Sequence, residues 1–146
     1  MNKYNIIEEY SIKKVYPSTI NINIKPTKFV ARLSSNNQLV GANGKLIIGN
    51  RNNEKLPYIF GEFNSEDFLN IKKKIEQSNF TFTQFKMLYF FPSNRWDILT
   101  NDDVLIKLPQ NNLSKSLNLA YKIMNSDDFK DKNLIDLRIN KHAIVK

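Results

Sequence analysis

His142 is the only histidine in the sequence and thus the only side chain whose ordinary pKa suits proton transfer at neutral pH. It stands at the start of the last apolar run, Ala143-Ile144-Val145, where a lone histidine reads as a hairpin or surface residue. A hydrolytic site would also need a nucleophile and an orienting group within reach. The serines fall in turn-like stretches, none of them in a strained strand-to-helix elbow. The acidic pairs Asp102-Asp103 and Asp127-Asp128 could suggest a hard cation, but no third acid or glycine-centred loop accompanies either. Gly41-Ala42-Asn43-Gly44 lacks the Lys-Ser/Thr ending of a phosphate loop and lies between strand-like runs. With no cysteine, disulfides, zinc thiolates and thiol nucleophiles are excluded. The expectation is a chain that is not an enzyme and takes neither cofactor nor metal.

What remains is binding. The 22 Lys and Arg against 14 Asp and Glu give a net charge of +8, a field that favours nucleic acid, anionic lipid or an acidic protein. The lysines are scattered, however, and the densest run, Lys72-Lys73-Lys74, reads as the solvated face of a helix. Phe80, Phe82, Phe85, Tyr89, Phe90 and Phe91 could stack bases if they lay exposed on a sheet, but a core needs the same residues and no RNP-like motif is present. No window is long and apolar enough to span a bilayer, and no signal-peptide core follows Met1.

The elements that would position a binding surface read clearly. Ile12–Val15, Ile20–Lys25 and Phe29–Leu33 are strands, the first two separated by the turn Tyr16-Pro17-Ser18. Ile20-Asn21-Ile22-Asn23-Ile24-Lys25 alternates strictly, which predicts a half-buried strand. A domain boundary is expected between Pro26 and Lys28. Asn43-Gly44, before Lys45–Ile48, predicts a tight hairpin. A polar loop over Gly49 to Lys55 leads to the apolar crossing Leu56–Gly61. Asn64 or Ser65 caps a helix with Phe68, Ile71, Lys72 and Ile75 on one face, ending near Ser78-Asn79. Phe80 to Phe91 is aromatic-rich and strand-like, entering the sheet by about Phe85, and continues through Arg95–Thr100 and Val104–Leu108 as an antiparallel meander. A second helix then presents Leu113, Leu117, Ala120, Tyr121 and Met124 as one stripe. Leu134–Ile139 and Ala143–Val145 should close the chain as a hairpin around Asn140-Lys141. The fold class is α+β, a mostly antiparallel mixed sheet with two helices.

Read in order, these segments resemble the FtsQ/DivIB cell division family. Val15-Tyr16-Pro17-Ser18-Thr19-Ile20-Asn21-Ile22 looks like the strand–turn–strand that ends the family's POTRA domain. Ile24–Ala31 is similar to the segment entering its β domain, with Lys25-Pro26 where Glu-Arg is usual. Leu39–Gly44 resembles the Leu-Val-Asp-Xaa-Xaa-Gly hairpin, with Gly41 in place of the acid, and Leu56–Gly61 the Leu-Pro-Xaa-Ile-Xaa-Gly crossing. Arg95-Trp96-Asp97-Ile98, Ile106-Lys107-Leu108-Pro109 and Ile135-Asp136-Leu137-Arg138 match its later motifs.

The resemblance implies residues 1–28 as the truncated C-terminal part of a POTRA domain and residues 29–146 as the β domain. It implies a single-pass protein of the inner membrane, its membrane helix absent from this chain and this region in the periplasm at the division septum. It further implies a divisome scaffold that helps regulate septal peptidoglycan synthesis and binds FtsB- and FtsL-type partners, with no nucleic acid among its ligands. The contact would form by strand addition at the C-terminal strand, with Arg138, Ile139, Lys141, His142, Ala143, Ile144, Val145 and Lys146 as the binding residues. Arg138 matches the family's closing-strand arginine, which can pair with a partner carboxylate, or it is an ordinary surface arginine. Ile139 stands where the family commonly has Tyr. Two other readings stay open, a basic nucleic-acid-binding domain and a generic POTRA-type transport module.

Overall fold

The computed structural model describes residues 5–49, 55–139 and 141–146. Most of the polar loop expected over Gly49 to Lys55, and Asn140 of the expected last turn, lie outside the described residues.

Strands β1 (Ile7–Val15) and β2 (Thr19–Pro26) form an antiparallel ribbon of their own, joined by a turn containing a cis Tyr16–Pro17 peptide. The two-residue period sorts the side chains as it should. Tyr10, Ile12 and Lys14 lie opposite Ile24, Ile22 and Ile20, while Ser11 and Lys13 lie opposite Asn23 and Asn21. The expected half-burial does not occur. Tyr10, Ile12, Ile20, Ile22 and Ile24 are 58–71% exposed, because no other described element covers that side of the ribbon.

The remaining strands make one nine-stranded sheet. In chain order they are β3 (Phe29–Leu33), β4 (Leu39–Gly41), β5 (Leu46–Ile47), β6 (Tyr58–Phe60), β7 (Phe85–Phe91), β8 (Arg95–Thr100), β9 (Leu105–Lys107), β10 (Leu134–Asp136) and β11 (Ile144–Val145). Across the sheet they run β11-β10-β9-β8-β7-β6-β3-β4-β5. The β7-β8-β9 meander is antiparallel as expected, whereas β3/β6, β6/β7 and β9/β10 pair in parallel. Adjacent parallel strands need a long crossover. Helix α1 (Ser65–Glu76) supplies it between β6 and β7, and α2 (Leu113–Met124) between β9 and β10.

Local chemistry explains both helix positions. The Asn64 side chain accepts from the Asp67 N–H while the Asp67 carboxylate accepts from the Asn64 N–H, a reciprocal cap, with Glu66 and Asp67 at the positive end of the helix. Phe68, Ile71 and Ile75 of α1 and Leu113, Leu117 and Ala120 of α2 enter a single core with Ile59, Leu88, Phe90, Trp96, Ile98, Ile106 and Ile135 from one face of the sheet. Both helices therefore lie on that face. Trp96 is wedged against Phe90 and Phe63, with ring centroids 4.8 and 5.9 Å away. Phe80, Phe85 and Phe90 are buried here and Phe82 packs against them, so four of the six aromatic residues that could have stacked bases serve the interior. No helix among the described residues is long and apolar enough to cross a membrane.

The Asn43-Gly44 turn forms, but not as a two-residue loop. The Gly41 N–H donates to the Lys45 carbonyl, leaving Ala42, Asn43 and Gly44 in the loop, and Gly44 alone takes a positive φ of 76°. Asn43 is occupied elsewhere. Its Nδ2 donates to the Asn5 carbonyl at 3.0 Å, its Oδ1 accepts from the Lys45 N–H at 3.1 Å, and its N–H reaches Thr27 Oγ1 at 3.4 Å. These bonds tie the base of the ribbon to the sheet, joined by the Thr27 N–H to the Ile6 carbonyl at 2.7 Å.

Candidate partner-binding edge

The C-terminal strand is placed by α2. The crossover sets β10 parallel to β9, with Leu134, Ile135 and Asp136 opposite Leu105, Ile106 and Lys107. The chain leaves the sheet after Asp136, sooner than the expected strand through Ile139, and returns antiparallel as β11. The early exit has a local cause. The Asp136 carboxylate accepts from the backbone N–H of Arg138 at 3.1 Å and from its Nε at 2.8 Å, while the guanidinium also donates to Oδ2 at 2.5 Å. A side chain that bonds the backbone two residues on offers the chain an alternative to the strand ladder.

Arg138, read from the motif as a closing-strand arginine or an ordinary surface arginine, already has an intrachain partner. It sits just past β10, clamped onto Asp136 of its own chain, with 41% of its side chain exposed. Asp136 is 7% exposed, and its carboxyl is held below the usual carboxylate range, first by the hydrogen bond from Arg138 and against the cost of burial. Arg95 and Asp97 repeat the spacing on β8, Nε to Oδ1 at 3.3 Å, but there burial dominates and pushes the Asp97 carboxyl up. Sequence reasoning did not assign either acid a role. The available signal was the separation of two residues, which puts both members of a pair on one face of a strand.

These shifts have opposite consequences. The Asp136 contribution is complete above the ordinary carboxylate pKa and is lost as pH falls through its depressed folded-state value; that of Asp97 declines as pH rises through its raised one. Asp136→Asn should therefore lower Tm at neutral pH and flatten the acid limb of a plot of Tm against pH. With Arg138 exposed past the strand end, screening limits the loss to about 1 kcal/mol, roughly 2–4 °C. Thermal melts from pH 7 down to about pH 2.5 check it.

Beyond Arg138, Ile139, His142 and Ala143 are exposed, His142 donating its N–H to the Ile139 carbonyl at 3.2 Å. Lys141 takes a positive φ of 65° in the same loop. The chain then pairs on β10. The Lys146 N–H donates to the Leu134 carbonyl at 3.0 Å, and the Lys146 carbonyl accepts from the N–H groups of Leu134 and Asn133 at 2.9 and 2.8 Å. Hydrogen-bonding direction alternates along an antiparallel strand. Since Ile144 and Lys146 face β10, the N–H and C=O of Val145 point away from it, along the outer rim of the sheet. The Val145 side chain packs on the core, while Ile144 lies opposite Asp136 on the far face. Of the sequence-stated binding residues, the fold brings Ile144, Val145 and Lys146 to a sheet edge and leaves Arg138, Ile139, Lys141, His142 and Ala143 in the loop leading to it. Among the described residues no group of three possible metal ligands occurs.

The family model described as Cell division protein FtsQ/DivIB, C-terminal, matches residues 30–138. Among solved structures, the major extracytoplasmic domain of the trans isomer of the bacterial cell division protein DivIB from Geobacillus stearothermophilus shares the α+β fold. The TM-score is 0.52 at 11% identity, covering 73% of this chain and 98% of that one. No curated protein sequence matches the chain. With three quarters of its length under the family model and the same fold in the DivIB domain, the chain belongs to the FtsQ/DivIB C-terminal family of cell division proteins.

Proposed function

We propose that this protein is a non-catalytic scaffold of bacterial division that docks FtsB- and FtsL-type partners by strand addition on β11, on the outer side of the inner membrane. The supporting observation is the rim at Val145, where one backbone donor and one acceptor are directed out of the sheet. An edge of that kind offers main-chain hydrogen bonds to an extended polypeptide, and neighbouring side chains set specificity. Arg138, Ile139, Lys141, His142 and Ala143 would flank the incoming strand, with Ile144 and Lys146 beside it on the far face. Residues 1–28 act in this reading as the closing ribbon of a POTRA domain, and residues 29–146 as the β domain. The uncovered apolar side of the ribbon supports that division, since an isolated two-stranded hairpin is marginal in water and needs a packing partner. A membrane helix elsewhere in the protein would hold the domain at the septum, where binding these partners would help regulate peptidoglycan synthesis.

Val145→Pro tests the edge cleanly. Proline removes the outward N–H but spares the bonds of Ile144 and Lys146 to β10, and such rim positions tolerate it. Binding of the cognate FtsB/FtsL ectodomains, measured by calorimetry, should weaken by about 10-fold or more with little change in Tm. Wild-type affinity in the variant would remove β11 as the docking strand. Arg138→Glu is a less clean probe, because it places a second carboxylate against Asp136 and disturbs the loop as well as the interface.

A further inference from the structure

The face of the large sheet opposite the helices has a composition that a solvated face does not need. An antiparallel sheet with one wet side usually alternates apolar inward and polar outward. Here one complete cross-strand row on the outer face is apolar, Tyr58, Met87, Leu99, Leu105 and Leu134, each the register partner of the next across β6, β7, β8, β9 and β10. All five are partly or largely exposed and none belongs to the core. The adjoining row, two residues along each strand, runs Phe60, Tyr89, Asp97, Lys107 and Asp136. Arg95 and Arg138 lie at the same end of the strands as this second row.

Charge decides what fits. Asp97 and Asp136 are 5% and 7% exposed and already engaged by Arg95 and Arg138, so the acids of this face are inward and answered. The cationic groups face outward, with Lys107 partly exposed between the two acids and Arg138 exposed beyond them. The Arg95 Nε and Asp97 Oδ1 atoms are buried without a well-formed hydrogen bond. We infer that this face is a docking surface for an amphipathic helix of a protein partner, its apolar stripe laid across the Tyr58–Leu134 row and carboxylates on one flank reaching Lys107 and Arg138. Five strands at the usual spacing span about 19 Å, the length of roughly 13 helical residues. Tyr, Met and Arg are residue types enriched at protein interfaces relative to the rest of a surface.

A single-stranded nucleic acid fits less well. The Phe60 and Tyr89 rings stack on each other at 5.0 Å and the Arg95 guanidinium covers the Phe91 ring at 4.4 Å, so those π-faces are taken.

The test uses the full chain and synthetic helical peptides of about 14 residues, with leucines along one stripe and glutamates on one flank, or lysines in their place. The glutamate peptide should bind and move the amide NMR signals of Met87, Leu99, Leu105 and Leu134. Binding should be about tenfold weaker for the lysine peptide and for Leu105→Lys, whose retained fold is verified by its amide dispersion. Val145→Pro should leave this binding unchanged, which separates the face from the β11 edge. The inference is overturned if both peptides bind alike, if the signals of this row do not move, or if a single-stranded DNA of roughly 12 nucleotides moves them in place of the peptide. Sedimentation showing a dimer that Leu105→Lys dissociates would overturn it too, by assigning the face to a second copy.

Discussion

Gly61→Ala should destabilise the protein by roughly 3 kcal/mol or more, lowering Tm by about 6–12 °C, although glycine and alanine differ by one methyl group. Gly61 closes β6 with a φ of 101°, a conformation that an L side chain rarely adopts. A Cβ built there would stand 2.2 Å from the Phe90 carbonyl oxygen and 3.1 Å from its carbon. Those atoms are backbone of β7, the strand between β6 and β8, and cannot rotate away as a side-chain tip could. The strain and the clash act together at the centre of the nine-stranded sheet. Gly49→Ala is the control. Its added Cβ meets only Leu39 Cδ1, at 3.6 Å, so Tm should stay within about 1–2 °C of the parent. Equal Tm values for the two variants, measured by calorimetry, would show that Gly61 is not required for backbone approach.

Trp96→Ala should cost about 3–5 kcal/mol, again read as a fall in Tm, here of roughly 6–20 °C. Trp96 is 3% exposed and fills the space between Phe90 on β7 and Phe63 before α1. Phe63 also packs on Phe68, so the indole links the sheet to the first helix. Deleting it removes the transfer energy of a large aromatic side chain and leaves a hole that a rigid sheet cannot close. Trp96→Phe should recover more than half of the loss. Trp96 alternates along β8 with Arg95 and Asp97, whose pair lies on the opposite face, so the alanine variant should weaken the fold without altering the charges of that face.

Much of this architecture was legible from local chemistry. The α1 cap, the apolar stripes of both helices, the β7-β8-β9 meander and the α+β class all follow from periodicities and capping residues within a few positions of one another. The ordered motifs led to the family, which the match over residues 30–138 shows. One expectation failed for a physical reason, and two features lay beyond any local rule. Ile20–Ile24 alternates as a half-buried strand does, yet alternation only sorts side chains into two faces and cannot say whether anything lies on either. The Asn43-Gly44 hairpin forms, and Asn43 also has long-range partners in Asn5 and Thr27 that a local rule does not include. The motif containing Arg138 also held the acid that it engages, two residues away, which no residue-by-residue reading had paired with it.

The sequence by itself determined which stretches become helices and strands, how their side chains sort into faces, and that cysteine chemistry is absent, because each depends on neighbours along the chain. Only the tertiary structure decided that β11 is an outermost strand with Val145 directed outward, that Asp97 and Asp136 are buried beneath arginines, and that an apolar row crosses five strands opposite the helices. Strand order and register join residues far apart in sequence, and two crossover helices set them by choosing the face on which they pack.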